Sequence, residues 1–296
     1  MTKSQMLKGY FYSVLSAVIY GSMPLMATHI YADGVNSVSL VLFRSLFALP
    51  LMALLGFKQA KTLKVPKKSL PQICLIAVVG CCLTPMLLLS SYKFIASSTA
   101  TVFHFIYPAI VLLLGILFMK HRLQLKTLLC VVICIAGISL FYTPGQPLDL
   151  RGSTLAIVSG ISCAVYICLL SGFKYKEIPI FLFTFYVILI SSALLFIFCI
   201  ATGNLTLPKS ALGWLLCILF ANLITVGAVV TLQIGTFIIG GERASILSTL
   251  EPITSIIIGL LFLNESITPL AGCGAALVIL SSVLIAFFDM KNKNKT

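Results

Sequence analysis

The sequence predicts an all-α membrane protein of ten transmembrane helices, built as two five-helix repeats of inverted topology. Three observations carry this. Sixty per cent of the 296 residues are hydrophobic and nine per cent are charged, and the mean hydropathy is +1.14. A soluble domain carries about a quarter charged residues, so this chain cannot cover a water-facing surface. Apolar runs of about twenty residues, the length that crosses a bilayer, recur ten times. Finally, the stretch Glu242 to Glu265 has a diluted copy 144 residues earlier, Ser98 to His121. The two agree at Ala100 and Ala244, Pro108 and Pro252, Gly115 and Gly259, Leu117 and Leu261, and Phe118 and Phe262. Five identities at one offset, around a shared Pro-x6-Gly spacing, mark an internal repeat.

The first run, Gly9 to Thr28, follows Lys3 and Lys8 as a signal peptide would. It is long enough to span and lacks a clear cleavage site, so it reads as a retained helix. Further helices are expected near 37–56, 72–92, 98–118 and 125–142. The second half gives helices near 152–171, 179–201, 211–234, 243–263 and 268–288. Very short turns join the third to the fourth and the eighth to the ninth. Tyr142 to Gly152, with Pro144-Gly145 and Pro147, is the linker. It divides the chain into repeats 1–145 and 146–296. Most of the ten cysteines, such as Cys130, Cys134, Cys163, Cys168 and Cys217, sit within apolar runs and read as small core residues. Cys/His spacings that would hold a metal are missing, and neither metal nor cofactor is expected.

Basic residues fix an orientation. With the N-terminus inside, the cytoplasmic segments hold Lys3 and Lys8, the lysines at 58, 61, 64, 67 and 68, Lys120, Arg122, Lys126, Lys174, Lys176, Arg243, Lys291, Lys293 and Lys295. The outer segments hold only Lys93, Arg151 and Lys209. Sixteen against three is a strong positive-inside bias, and it puts both termini in the cytoplasm. The same bias explains the basic excess without a nucleic-acid partner. Five helices per half is odd, so the halves enter the membrane in opposite orientations. Inverted repeats of this kind are a transporter signature.

These residues resemble the drug/metabolite transporter superfamily, and specifically its proteins with two EamA domains. The second half carries the clearer signature: Ala244, Leu250-Glu251-Pro252, Gly259 and Leu263-Asn264-Glu265. The first half departs from it, with Tyr107 opposite Glu251 and His121 opposite Glu265. Arg44 is similar to an arginine often found in the second helix of this family. The resemblance implies a central cavity lined mainly by helices 1, 3, 4, 6, 8 and 9. It implies transport and leaves the substrate open among amino acids, amines, nucleotide-linked metabolites, sugars, vitamins and drugs.

The candidate site residues are those whose chemistry is costly in a bilayer. A carboxylate near a helix centre costs roughly 2.5–3.5 kcal/mol on insertion scales. Glu251 is therefore a candidate cation partner or proton carrier, or else a structural acceptor beside the Ser248 carbonyl that Pro252 leaves without its helical donor. His104 lies one turn before Pro108, on the same side, and matches Ser248 in the repeat. It suits a substrate hydrogen bond or proton coupling, with an interhelical hydrogen bond as the structural alternative. Pro108 and Pro252, with Gly115 and Gly259 two turns on, read as matched hinges or as static kinks. Arg44 either snorkels or binds a loop carbonyl, with a substrate carboxylate as the alternative partner. Tyr20, Tyr166, Tyr107 and Tyr92 could form an aromatic wall for an organic cation. Asn222 and Gln233 are expected in the interior of helix 8, and Trp214 at the membrane interface.

The function expected is secondary transport of a small organic metabolite across the plasma (inner) membrane by alternating access, with efflux as its direction. Proton coupling is one option; facilitated diffusion and a nucleotide-sugar-type exchanger are others. A non-transporting subunit of a lipid-flipping complex is a further alternative. Enzyme chemistry is not expected: the three histidines, His29, His104 and His121, form no HExxH motif. The expected partners are a small solute, the lipid bilayer and protons, with the chain as a monomer or loose homodimer.

Overall fold

A computed structural model describes residues 3–61, 64–119, 149–172, 178–248 and 250–293, with isolated positions between 129 and 140. All regular structure among the described residues is helical. The first half contributes α1 (Lys3–Ala32), α2 (Ser37–Leu46), α3 (Leu49–Ala60), α4 (Leu70–Ile76), α5 (Thr84–Ser91), α6 (Ser97–His104) and α7 (Tyr107–Met119). The second contributes α8 (Leu150–Ser171), α9 (Ile180–Thr202), α10 (Ala211–Asn222), α11 (Thr231–Ile239), α12 (Gly241–Leu247), α13 (Leu250–Phe262) and α14 (Pro269–Lys293). π-helical segments, Ala77–Leu83 and Leu223–Val230, join α4 to α5 and α10 to α11.

Taken through these joints, eight described helices are long and apolar enough to cross a membrane, and α14 adds the shorter apolar stretch Pro269–Ser281. The helix expected over 125–142 lies mostly outside the described residues. Large apolar side chains point outward, among them Leu54 at 63%, Ile197 at 64% and Leu261 at 70% exposure. Such a surface suits lipid, where the backbone of each helix satisfies itself. Polar side chains cap the starts of α2, α8 and α10. Asn36 Oδ1 accepts from Ser39 N at 2.8 Å, Asp149 Oδ1 from Arg151 N at 2.8 Å, and Ser210 Oγ from Gly213 N at 2.9 Å. Each satisfies an amide that a first turn otherwise leaves free.

Three expected spans are broken. The second divides at Phe47-Ala48, just before Pro50. The fourth divides at Phe105-Ile106, so Pro108 opens α7, and the ninth divides after Leu247, so Pro252 falls in the first turn of α13. Proline lacks an N–H and is accommodated in a first turn, where no donor is needed. These prolines therefore begin a second helix and do not bend a continuous one. Nor is the Ser248 carbonyl left open: it accepts from the Glu251 amide at 2.9 Å.

The halves exchange their first helices. α1 packs along α11 and α13 of the second half, and α8 packs along α5, α6 and α7 of the first. Matched serines fix both contacts. Ser16 Oγ donates to Ala228 O at 2.8 Å, and Ser162 Oγ donates to Val79 O at 3.2 Å. Each acceptor lies in the π segment of the opposite half. A π turn shifts the backbone ladder by one residue, and the serine supplies a donor across the interface. Interhelical hydrogen bonds of this kind contribute about 0.6 kcal/mol each in a membrane, up to about 1.7.

Candidate functional site

One cavity lies where the exchanged helices meet. The space among its lining residues, open solvent included, is about 550 Å³. Tyr20 and Met23 come from α1, Arg44 from α2, and Gly80, Thr84, Pro85 and Leu88 from the π segment and α5. His104 and Tyr107 flank the break in the fourth span, and Cys163 and Tyr166 come from α8. Leu232, Ser248 and Glu251 complete the lining. The break puts His104 at the end of α6 and Tyr107 at the start of α7, with ring centroids 5.4 Å apart. In the ninth span the break similarly presents Ser248 and Glu251.

The wall residues are tightly held. Glu251 is 6% exposed and Arg44 3%. Arg44 Nη2 donates to Cys81 O at 2.9 Å, within the first π segment. The arginine thus does what snorkelling would do, but in the interior, and it still lines the cavity. Tyr166 Oη accepts from Gln233 Nε2 at 3.4 Å, while Gln233 Oε1 accepts from Thr184 Oγ1 at 2.5 Å. Gln233 is fully buried and acts as a brace behind Tyr166. The Tyr107 hydroxyl pairs with Ser248, across the two halves.

His104 is held through Nδ1, 2.7 Å from Ser159 Oγ. The serine hydroxyl also lies 2.7 Å from Ala156 O. With its one proton on that carbonyl, Nδ1 donates to the serine, and in a neutral ring Nε2 is then the acceptor.

The cavity brings together Tyr20, Arg44, His104, Tyr107, Tyr166, Ser248 and Glu251. Two candidates lie elsewhere. Asn222 is half-buried and donates to Ile218 O, one turn back on its own helix, at 2.9 Å. It serves its helix, not the cavity wall. Tyr92 is half-buried beside the wall, within charge range of Glu251 and Glu265. Ser159 and Gly80 escaped notice in the sequence, and Cys163 reads there only as a small core residue. A signal for Ser159 exists: it stands 146 residues after Ser13, as Tyr166 stands after Tyr20.

The model of the EamA-like transporter family matches residues 7–143 and, a second time, residues 150–287. The chain belongs to the EamA-like transporter family. Among similar proteins is an uncharacterized inner membrane transporter, YicL, of Salmonella typhimurium, 27% identical with 97% of each chain covered. An uncharacterized transporter of Archaeoglobus fulgidus is also 27% identical, over 93% of this chain and 94% of that one. A crystal structure with TM-score 0.68 covers 98% of this chain and 99% of its own at 15% identity, a likeness of fold. In this EamA protein the cavity draws on the first, third, fourth, sixth, eighth and ninth spans, and the second adds Arg44. The chain is thus a multi-pass membrane transporter, and its central cavity is its candidate site.

Proposed function

We propose that this EamA protein is a secondary transporter that exports a small organic solute through the central cavity by alternating access. The observation that carries this is the exchange of first helices. Each half holds one wall of the same cavity with a helix borrowed from the other. Rocking the halves would then move both walls at once, opening one end as the other closes. The sixteen-to-three bias of basic residues supports a plasma (inner) membrane orientation with both termini cytoplasmic. Glu251 and His104 are the groups that would couple transport to protons, and Tyr20, Tyr107, Tyr166 and Ser248 would contact the solute.

The test is counterflow in proteoliposomes, with solutes first chosen by thermal shift from a metabolite library. Exchange of a labelled solute that the wild type performs and empty vesicles do not is the expected result. A purified chain that shifts with no solute and counterflows none would refute transport by this chain alone. Proton coupling is tested separately with Glu251→Gln combined with His104→Asn. If uptake driven by a pH gradient is unchanged, coupling through these groups fails and facilitated diffusion remains.

A further inference from the structure

Five lysines stand in the eleven residues from Lys58 to Lys68, between the second and third spans. Lys58, Lys61, Lys64, Lys67 and Lys68 are all exposed. The sequence has no acidic residue between Asp33 and Asp149, so this loop carries no counter-charge of its own. Orientation does not require so many, since the loop before the ninth span carries Arg243 alone. The lysines are also held in place. Lys61 ends α3 in the left-handed region, at φ 54°, with its amide on Phe57 O at 2.7 Å. Gln59 Oε1 accepts from Phe181 N at 3.1 Å, at the start of α9. Val65 packs against the core, and Lys67 and Lys68 sit on a single 3-10 turn that leads into α4. Basic clusters on the cytoplasmic side of a membrane helix attract anionic lipid.

An apolar track begins at the same turn. Pro71, Cys74, Leu75 and Val78 are exposed, at the i, i+3, i+4, i+7 spacing that puts side chains on one side of a helix. Val78 lies ten residues after Lys68, a rise of about 15 Å. That is half of the roughly 30 Å hydrocarbon core, the depth that the acyl chains of one leaflet fill. There the track meets a groove between the third and seventh spans. Val78, Cys82 and Met86 line it from the third, and Leu194, Leu195 and Phe198 from the seventh. Its lining is wholly apolar. Charge at the membrane surface and an apolar path beneath it are the two halves of a phospholipid.

We propose that the loop and track bind an anionic phospholipid of the cytoplasmic leaflet, its phosphate at the lysines and one acyl chain along Pro71, Leu75 and Val78 with its end in the groove. The choice of leaflet rests on the orientation proposed above. Cys82 of the groove follows Cys81, whose carbonyl holds Arg44, and both belong to the first π segment. A chain in the groove therefore backs the wall of the central cavity, and its binding should stabilise the protein. A free phosphate would use the lysines and not the track.

The experiment uses the purified full chain in a non-ionic detergent. It is titrated with dioleoyl phosphatidylglycerol, zwitterionic dioleoyl phosphatidylcholine, short-chain dihexanoyl phosphatidylglycerol and inorganic phosphate. Bound lipid is read by native mass spectrometry and stability by thermal shift. Each lysine near an anionic surface is worth about fivefold in affinity, so dioleoyl phosphatidylglycerol should bind at least tenfold tighter than the phosphatidylcholine and raise the melting temperature. Lys67→Gln combined with Lys68→Gln should remove most of that preference. Lys93→Gln with Arg151→Gln, an equal loss of charge on the opposite face, should keep it. Val78→Trp, which fills the mouth of the groove, should weaken the dioleoyl lipid and leave the dihexanoyl one unchanged. The proposal is overturned if the two dioleoyl lipids bind alike, or if inorganic phosphate or the short-chain lipid binds as tightly as the long-chain one. It is also overturned if the control pair lowers the preference as much as the Lys67 and Lys68 pair. The wild-type series decides even where a variant fails to fold. None of these readouts uses transport, so failure here leaves the reading of the cavity standing, and failure of counterflow leaves the lipid site standing.

Discussion

The carboxylate of Glu265 grips Ser97. Its Oε1 accepts from the Ser97 amide at 2.8 Å and from the Ser97 hydroxyl at 2.6 Å. Oε2 takes the Ser98 amide at 3.1 Å. A residue beyond α13 thus caps α6, and the two broken spans that carry Glu251 and His104 are fastened at one end. Gly259 completes the contact, with Ser98 and the Glu265 carboxylate in the space a side chain would fill.

Removing this cap should free the start of α6. Loss of an N-cap costs about 0.5–2 kcal/mol, and about 1.4 kcal/mol is tenfold in an opening equilibrium. In Glu265→Ala, amide hydrogen exchange over residues 97–104 is expected to quicken roughly tenfold. Glu265→Gln, which keeps one acceptor, should fall between. Exchange at the wild-type rate in the alanine variant would show that Ser97 does not depend on this grip.

Gly80 and Gly227 occupy matched places in the two π segments, and they should not tolerate change equally. A Cβ on Gly80 would overlap the ring of Tyr166. On Gly227 the nearest atom would be Ile19 Cδ1, the end of a flexible side chain, at 3.0 Å. Overpacking a filled interior costs typically 1–3 kcal/mol. Gly80→Ala should therefore lower the melting temperature in detergent by several degrees and weaken solute binding through Tyr166. Gly227→Ala should stay close to wild type. Equal shifts in the two variants would contradict the asymmetry.

The membrane character, the paired halves and half of the cavity lining were legible in the sequence, because lipid forces them into view. A glutamate or arginine within an apolar run is conspicuous, and Pro108 and Pro252 repeat at one spacing. What stayed hidden depends on backbone detail. Periodicity cannot tell a bent helix from one that stops and restarts, so the breaks before Pro108 and Pro252 were invisible. Asn222 looked like a cavity group, yet its own helix takes its Nδ2, one turn back, and its Oδ1 is buried with no partner among the described residues. Ser159 looked like any small packing residue. Its importance lies in where its single proton goes, and only the fold shows that.

The tautomer of His104 separates two substitutions that a deletion would merge. An asparagine amide overlies Nδ1, and a glutamine amide overlies Nε2. His104→Asn should keep the bond to Ser159 and the wild-type melting temperature, while losing Nε2, the ring nitrogen that Ser159 does not engage. His104→Gln should do the opposite. A net hydrogen bond is worth about 0.5–1.5 kcal/mol, so the asparagine variant should bind solute up to roughly tenfold more weakly at near-unchanged stability. Loss of stability in the asparagine variant, with binding intact, would assign His104 a purely structural role.

Acid should release a second fastening, outside the membrane spans. Asp33 follows α1, and its Oδ2 accepts from Lys209 N at 2.9 Å and Ser210 N at 3.2 Å. The Ser210 hydroxyl, then the Ser210 and Lys209 amides and the Lys209 charge, hold its carboxyl below the usual value. A carboxyl depressed in the folded state stabilises above its unfolded pKa, about 3.9. That contribution disappears as pH falls through the lower, folded value. Asp33→Asn retains an acceptor and removes the charge, so it isolates this part. The melting-temperature gap between wild type and Asp33→Asn should be constant above about pH 5 and close below about pH 4. A gap that persists into acid would mean that the amide contacts alone, not the charge, secure the start of α10.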